Sequence, residues 1–328
     1  MMIRTKSIYR VFVSLMAALA VAGWASTRAL ADEFDGPEAP SGAIIASPSL
    51  TGQSTGFDLE TPAEAGAKPI ASQYALPLGQ PVPPFPILLN RAVRRYVSDF
   101  MNFPDHLQDT FDRSHPYLRD MVRVLRSYGL PDDLVYLAFA ESEFSKRGRG
   151  PWQFNYDTAK RFGLHIDNYV DERRDPVTST KAAAEYLATL HDAAGDDWPM
   201  TLVAWNNGDK AIDRYWSLRG PNIEKFGNRL PRRTRGLLGR FMAVAYIAHH
   251  ADSYGITPVR LDDPPTYEML PVRGGTPLSR VALNHGTTLE RLHELNPALL
   301  RDVVPPYERS YNVRVPVETH ASAEHVEF

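Results

Sequence analysis

Between residues 83 and 256 the apolar positions recur with the spacing of helices. Leu89, Val93, Tyr96, Val97 and Phe100 fall at i, i+4, i+7, i+8 and i+11, one face of a helix. Leu118, Met121, Val122 and Leu125 repeat the stripe, and Gly129 follows as a stop signal. The stretch "DLVYLAFAES", residues 133–142, is apolar on nearly all sides, as expected of a helix buried in a bundle. "DPVTSTKAAAEYLATLHDAAG" opens with Thr and Ser caps and then places Ala183, Tyr186, Leu187 and Leu190 on one stripe. Two more helical stretches follow, "PMTLVAWNNGDKAIDRYW" and "RGLLGRFMAVAYIAHHADSYG". No comparable alternation of strand type interrupts them, so the pattern predicts an α-helical domain.

Beyond "DDPPT" the pattern changes. "YEMLPV" reads as a short strand, "PLSRVALNHG" and "TLERLHELNP" as two short helices, and "YNVRVPV" alternates Tyr311, Val313 and Val315 as a strand does. A β-α-α-β unit over residues 266–317 is expected, with a short tail at 318–328. Upstream of the helices, residues 32–82 are rich in Pro, Gly, Ser and Ala without sustained periodicity, the composition of a disordered linker. The first 31 residues differ again. "MMIRTKSIYR" is cationic, "VFVSLMAALAVAGWA" is apolar, and Ala29 and Ala31 precede Asp32 as a small-residue cleavage site. That order reads as a secretory signal peptide. The alternative, an uncleaved anchor, fits less well because the run falls short of the roughly 20 residues a membrane span prefers.

The chain of 328 residues has a net charge of -3, which argues against nucleic acid as the main partner. It contains no cysteine, which excludes disulfides, thiolate metal sites, a cysteine nucleophile and a lipid-modified cysteine after the signal. The expected mature protein is soluble, exported to the periplasm and not a lipoprotein.

Chemistry concentrates around Glu141, a carboxylate at the edge of the apolar run and just ahead of the basic, glycine-rich "KRGRG". Desolvation there would raise its pKa and make it a general acid, whereas Lys146, Arg147 and Arg149, if folded back, would oppose that shift. A solvent-facing Glu that merely ends the helix is the alternative. Glycoside hydrolysis usually needs a second carboxylate, and Glu143, two positions on, is turned about 200° away on a helix. Nothing singles out Asp157 or Asp171. "AWNNG", residues 204–208, offers an aromatic and two amides, a mix suited to sugars or to a capped helix end. His249, His250 and Asp252 point to different helix faces and read as surface, and "RLPRRTRGLLGR" reads as a basic patch of solvated surface. No HExxH, Walker A, GxGxxG or GxSxG pattern occurs, and no metal or cofactor is expected.

Four ordered segments together resemble the soluble lytic transglycosylase-like catalytic domain of family 1, in its membrane-bound lytic murein transglycosylase D form. They are "LPDDLVYLAFAESEF", "GPWQFNYDTAKRFGL", "VDERRDPVTSTKAAAEYLATL" and "DWPMTLVAWNNG", with a closing "YGI"; the likeness spans about residues 83–258. The tail from "TPLSRVALNHG" to "YNVRVP" resembles a LysM peptidoglycan-binding module. The resemblance implies a lysozyme-like helical catalytic domain followed by a LysM-like module, and cleavage of the β-1,4 bond between N-acetylmuramic acid and N-acetylglucosamine in peptidoglycan glycan strands. It implies that Glu141 is the catalytic acid and then base, with the muramoyl C6 hydroxyl as nucleophile and a 1,6-anhydro product. Gln153 and Asn206 match positions that hold the sugar's polar groups in the family, Ser142 matches the Ser that follows the catalytic Glu, and Trp152 and Trp205 are expected to bind substrate beside them. A hydrolytic muramidase or a non-catalytic peptidoglycan-binding protein on the same fold are the alternatives. The chain departs from the family pattern in a shorter loop after Glu141, in Trp205 where a Tyr is usual, and in Arg233 and Leu237 where Glu and Tyr are usual.

Overall fold

The computed structural model describes residues 84–145, 148–216, 229–261 and 265–317. The expected signal peptide, linker and tail lie outside the described residues. The fold is mainly helical with a small strand-containing module at the C-terminal end, the class the sequence pattern predicts.

Helix α1 (Arg91–Met101) is started by the Asn90 side chain, which accepts from the Val93 N–H and so satisfies a donor that has no partner within the helix. Helix α2 (Pro104–Ser127) is the longest element, and α3 (Val135–Ser142) follows a 3-10 turn. Helix α3 is a wedge driven between α2 and α8 (Arg232–His249). Leu134, Leu137, Ala138 and Phe139 are all buried around it, each larger side chain contributing about 1.5–3 kcal/mol by leaving water. Its carboxylate-bearing end is thereby fixed by packing on all sides. The remaining helices are α4 (Tyr156–Arg161), α5 (Pro176–Ala193), α6 (Trp198–Asn207), α7 (Ala211–Tyr215) and α9 (Ala251–Tyr254). Helix α5 packs on both α2 and α6, and α8 on both α1 and α3.

His249, read as surface, is exposed and meets the buried Asp133 carboxylate at 2.6 Å. Asp133 also accepts from the Phe85 N–H at 3.3 Å. This pins the start of the helical region to the end of α8, a long-range contact with no local sequence signature.

The C-terminal module runs β1 (Tyr267–Val272), α10 (Leu278–Asn284), α11 (Leu289–Leu295) and β2 (Tyr311–Pro316). The strands pair antiparallel, Tyr267 opposite Pro316 and Val272 opposite Tyr311. Val272, Leu278, Leu292, Val304, Val313 and Val315 form its small core, to which Val170 of the helical region is added.

The two regions, successive along the sequence, are joined through buried side chains. Arg314 of β2 reaches the carboxylate of Asp175 with both terminal nitrogens, one at 3.0 Å, and both side chains are more than 90% buried. Asp175 is also the N-cap of α5, accepting from the N–H groups of Val177 at 3.0 Å and Thr178 at 2.7 Å. The guanidinium lies 5.6 Å from the Tyr117 ring centre and 5.1 Å from that of Tyr267. Tyr117 donates to the Glu294 carbonyl at 2.5 Å and Tyr267 to Asp120 at 2.6 Å. Beside this, the backbone of 169–171 bridges to 298–300.

One close approach shapes the turn that follows α3. Gly150 has φ +81°, and a Cβ there would stand 1.8 Å from the Arg173 carbonyl oxygen. A Gly150→Ala substitution meets both a left-handed backbone and a backbone clash. It is expected to destabilise the protein by more than about 2 kcal/mol, read as a lower denaturant midpoint at unchanged m-value. An Ala variant as stable as the parent would refute that approach.

Candidate active site

Glu141 stands on the last turn of α3, and the chain reverses immediately after it. Glu143 and Phe144 both take left-handed conformations, with φ of 51° and 48°, each costing about 1–2 kcal/mol for a non-glycine residue. Neighbouring contacts hold the turn in place. Phe144 is buried edge-on against Phe139, with ring centres 4.8 Å apart. Ser142 Oγ donates to the Ala138 carbonyl at 3.0 Å and accepts from the Phe144 N–H at 3.1 Å. Arg113 donates to the Glu143 carbonyl at 2.9 Å, and His106 pairs with the Glu143 carboxylate at 2.8 Å. Ser142 is therefore engaged in shaping the turn and is not among the groups that line the cleft. Glu143 faces away from Glu141 because it has left the helix.

The cleft has a volume of about 450 Å³ and is lined by Glu141, Arg149, Gln153, Trp205, Asn206 and Arg233 among others. Trp205, on α6, donates its indole N–H to Glu141 Oε1 at 3.0 Å. Three rings hold that indole in place: Trp152 at 5.7 Å, Phe154 at 5.6 Å and Tyr186 at 5.4 Å between centres. Where the family pattern has a phenol, this chain presents an indole donor. Trp152 itself is only 2% exposed, and its own N–H is taken by Thr180 Oγ1 at 2.9 Å. It packs edge-on against Trp205 and, though almost wholly buried, borders the cleft.

Gln153 sits at φ 51° and donates to the Gly150 carbonyl at 2.6 Å, so its amide edge is set by the turn. Asn206 is set by Thr234, a fully buried residue whose hydroxyl donates to Asn206 Oδ1 at 2.8 Å and accepts from Asn207 Nδ2 at 2.9 Å. A hydroxyl has one proton to give, so this arrangement fixes the Asn206 amide with its carbonyl occupied. Asn206 also lines the cleft.

Burial pushes the Glu141 pKa up, and this outweighs the opposing pull of the Trp205 hydrogen bond and of the positive charges on Arg233, Arg240 and Arg149. The competition between desolvation and nearby cations, open from sequence, is decided in favour of desolvation. Arg240 in addition donates to the Ala140 carbonyl at 3.1 Å, at the negative end of α3. Leu237 is buried and adds no polar group. A second cavity of about 620 Å³, bounded by Arg113, Tyr117, Gly150, Arg174, Arg291 and Leu295, does not include Glu141.

Thr234 and Arg240, which sequence reasoning missed, come from the segment read as a surface basic patch, as does Arg233, noted there only as a departure from the family pattern. Arg233 and Thr234 open α8 directly at the cleft, and Arg240 braces α3 from the next turns of the same helix. The local signal, a Thr amid arginines at a helix start, does not distinguish this from ordinary surface.

The cleft thus sets one carboxyl group, at the end of a largely buried helix, among amides and aromatics. Residues 125–225 match the family described as "Transglycosylase SLT domain", and residues 266–327 match "Lytic transglycosylase MltD, LysM-like domain". The chain thus carries an SLT domain over residues 125–225, with a LysM-like module of the lytic transglycosylase MltD type behind it. It is similar to "Membrane-bound lytic murein transglycosylase D" of Escherichia coli (strain K12), 25% identical over 217 residues, covering 63% of this chain and 48% of that protein. It is also similar to a "Putative tributyltin chloride resistance protein" of Alteromonas sp. (strain M-1), 32% identical over 108 residues, 31% of this chain and 52% of that protein. The chain thus spans about half the length of the curated relatives it matches. No helix among the described residues is long and apolar enough to cross a membrane.

Proposed function

We propose that this chain is a peptidoglycan lytic transglycosylase that cleaves the N-acetylmuramic acid β-1,4 N-acetylglucosamine bond and leaves a 1,6-anhydromuramoyl end. The observation that carries the reading is that Glu141 is the one acidic residue among the described residues lining the cleft. Hydrolysis by two carboxylates has no second partner here, whereas attack by the substrate's own C6 hydroxyl needs none.

Protonation of Glu141 is favoured by its burial. Because Trp205 donates to Oε1, the carboxyl proton belongs on Oε2, the oxygen left to meet the substrate. It passes to the glycosidic oxygen as the C1–O bond breaks. The resulting carboxylate, stabilised by the indole N–H, takes the proton of the C6 hydroxyl as O6 bonds to C1. No water is consumed, and well-oriented intramolecular attack supplies roughly 7–11 kcal/mol of the barrier lowering. Asn206 and Gln153 would hold hydroxyl and acetamido groups of the sugars. The LysM-like module would grip the same glycan, and the N-terminal segment would export the chain to the periplasm.

Digestion of purified sacculi tests the proposal. Released muropeptides are expected to carry anhydro ends. Products heavier by one water would assign a hydrolytic muramidase instead, and binding without release would assign a peptidoglycan-binding protein.

A further inference from the structure

Two guanidinium groups in the cleft have no evident part in acid–base chemistry. Arg149 and Arg233 both line the cavity with Glu141, and both are exposed. Arg240 is braced on a backbone carbonyl. Arg149 and Arg233 have no hydrogen bond or ion pair to another described side chain, and what they share is their field at Glu141. That field works against a general acid, since it favours the ionised form that cannot donate. Arg233 also stands in the first turn of α8 beside Arg232 and Arg235 with no acidic residue in that turn, where the helix dipole disfavours cations. The cleft therefore holds two cations, one acid and a set of neutral amides.

We propose that Arg149 and Arg233 form a carboxylate-recognition pair that takes a carboxylate on the lactyl arm of the muramoyl residue being cleaved. The inference rests on the function proposed above. Sugar hydroxyl and acetamido groups are neutral, so the lactyl arm is the part of the glycan that supplies an anion near the scissile bond. In strands stripped of peptide the lactyl carboxylate is itself free. In peptide-bearing strands that carboxylate is an amide, and the nearest anions are those of the stem. Both sources present the chemistry that guanidinium forks recognise through charge-assisted hydrogen bonds. Binding such a group neutralises the local positive field and returns Glu141 towards the protonated form, so the correct substrate would itself arm the acid.

The test titrates the full chain with short glycan fragments while following the indole N–H resonance of Trp205, a probe inside the cleft and separate from the C-terminal module. Three fragments are compared: peptide-free muramoyl tetrasaccharide, its peptide-bearing counterpart, and neutral N-acetylglucosamine tetramer. The R149Q/R233Q double variant is expected to bind one or both muramoyl fragments about tenfold or more weakly, with the salt dependence of binding reduced and the neutral tetramer unaffected. The fragment that loses more affinity identifies the source of the carboxylate. R149K/R233K should recover part of the loss. Equal affinity of parent and double variant for both muramoyl fragments, with the fold intact by circular dichroism, overturns the pair. Release of product is assayed in parallel: an active enzyme with unchanged fragment binding sinks the pair and leaves the proposed activity standing. A protein that releases nothing yet loses binding on R149Q/R233Q sinks the activity and keeps the pair.

Discussion

Replacing Glu141 with Gln is expected to reduce release of anhydromuropeptides by about 10²–10⁴-fold, the range a positioned general acid–base supplies. The amide keeps the size of the carboxyl and can still accept from Trp205 Nε1, so the cleft should keep its shape. The same substitution should leave stability unchanged or raise it near neutral pH. Glu141 titrates above the ordinary carboxylate range because burial penalises its charge. A group with a raised folded pKa contributes stability below its unfolded value and loses it as pH rises through the folded one. At neutral pH the parent bears whatever cost remains, and Gln does not. Activity follows the protonated form in the first step, so the parent's rate should fall on the alkaline side of that raised pKa. Trp205→Phe removes a hydrogen bond that holds the pKa down, so its alkaline limb should move to higher pH. Release by the Gln variant at the parental rate would remove Glu141 from the mechanism. A Gln variant that is inactive and also unfolded would defeat the assignment of its role to chemistry alone, and thermal melts beside the digest separate the two results.

Arg314→Met is the second large effect. The guanidinium is removed, and the Asp175 carboxylate is left buried with the α5 N–H groups and the Thr178 side chain as partners but no counter-ion. Breaking a buried pair from one side costs about 3–5 kcal/mol, because the remaining charge has no counter-ion. Burial alone would raise the Asp175 pKa, and the adjacent Arg314 charge more than reverses this, leaving it lowered. A lowered carboxylate stabilises the fold above its unfolded pKa and withdraws that support as pH falls through the folded value. The parent should therefore lose stability in acid below the ordinary aspartate range, and Arg314→Met should already lack that contribution at neutral pH. Asp175→Asn added to Arg314→Met removes the orphaned charge while an Asn cap still serves α5. The double variant should regain a large part of the loss, measured as denaturant midpoints. A single Met variant as stable as the parent, or a double variant no better than the single, would contradict the account of the interface.

The helices were legible because their evidence is local. The stripe of Val93 and Val97 and the all-round apolar run of α3 are each contained within a few turns, whereas the Thr and Ser read as caps of α5 lie inside that helix and Asp175 caps it. The site was partly legible for the same reason: Glu141, Gln153, Trp205 and Asn206 occur in short motifs, and the structure brings them together around one cleft. What failed depends on contacts far apart in sequence. That the Trp152 N–H is taken by Thr180 and its ring is almost wholly buried beside the cleft could not be read locally. Ser142 looked like a site residue, yet its hydroxyl is consumed by a left-handed turn that composition does not announce. Arg233 and Arg240 looked like solvated charge because helix periodicity says which face is polar, not what that face meets. The Asp175–Arg314 pair spans 139 positions, and neither partner stands out in its own segment.

Asp175 starts α5 on one side and holds β2 on the other, and Tyr267 and Leu295 of the C-terminal module belong to the same hydrophobic cluster as the helices. The change of sequence pattern near residue 260 therefore marks a seam in composition but not in cooperativity. Loosening the module would strip a counter-ion from a helix cap and open a shared core, so neither part can melt while the other stays as it was. The unit of inheritance and the unit of unfolding do not coincide in this chain.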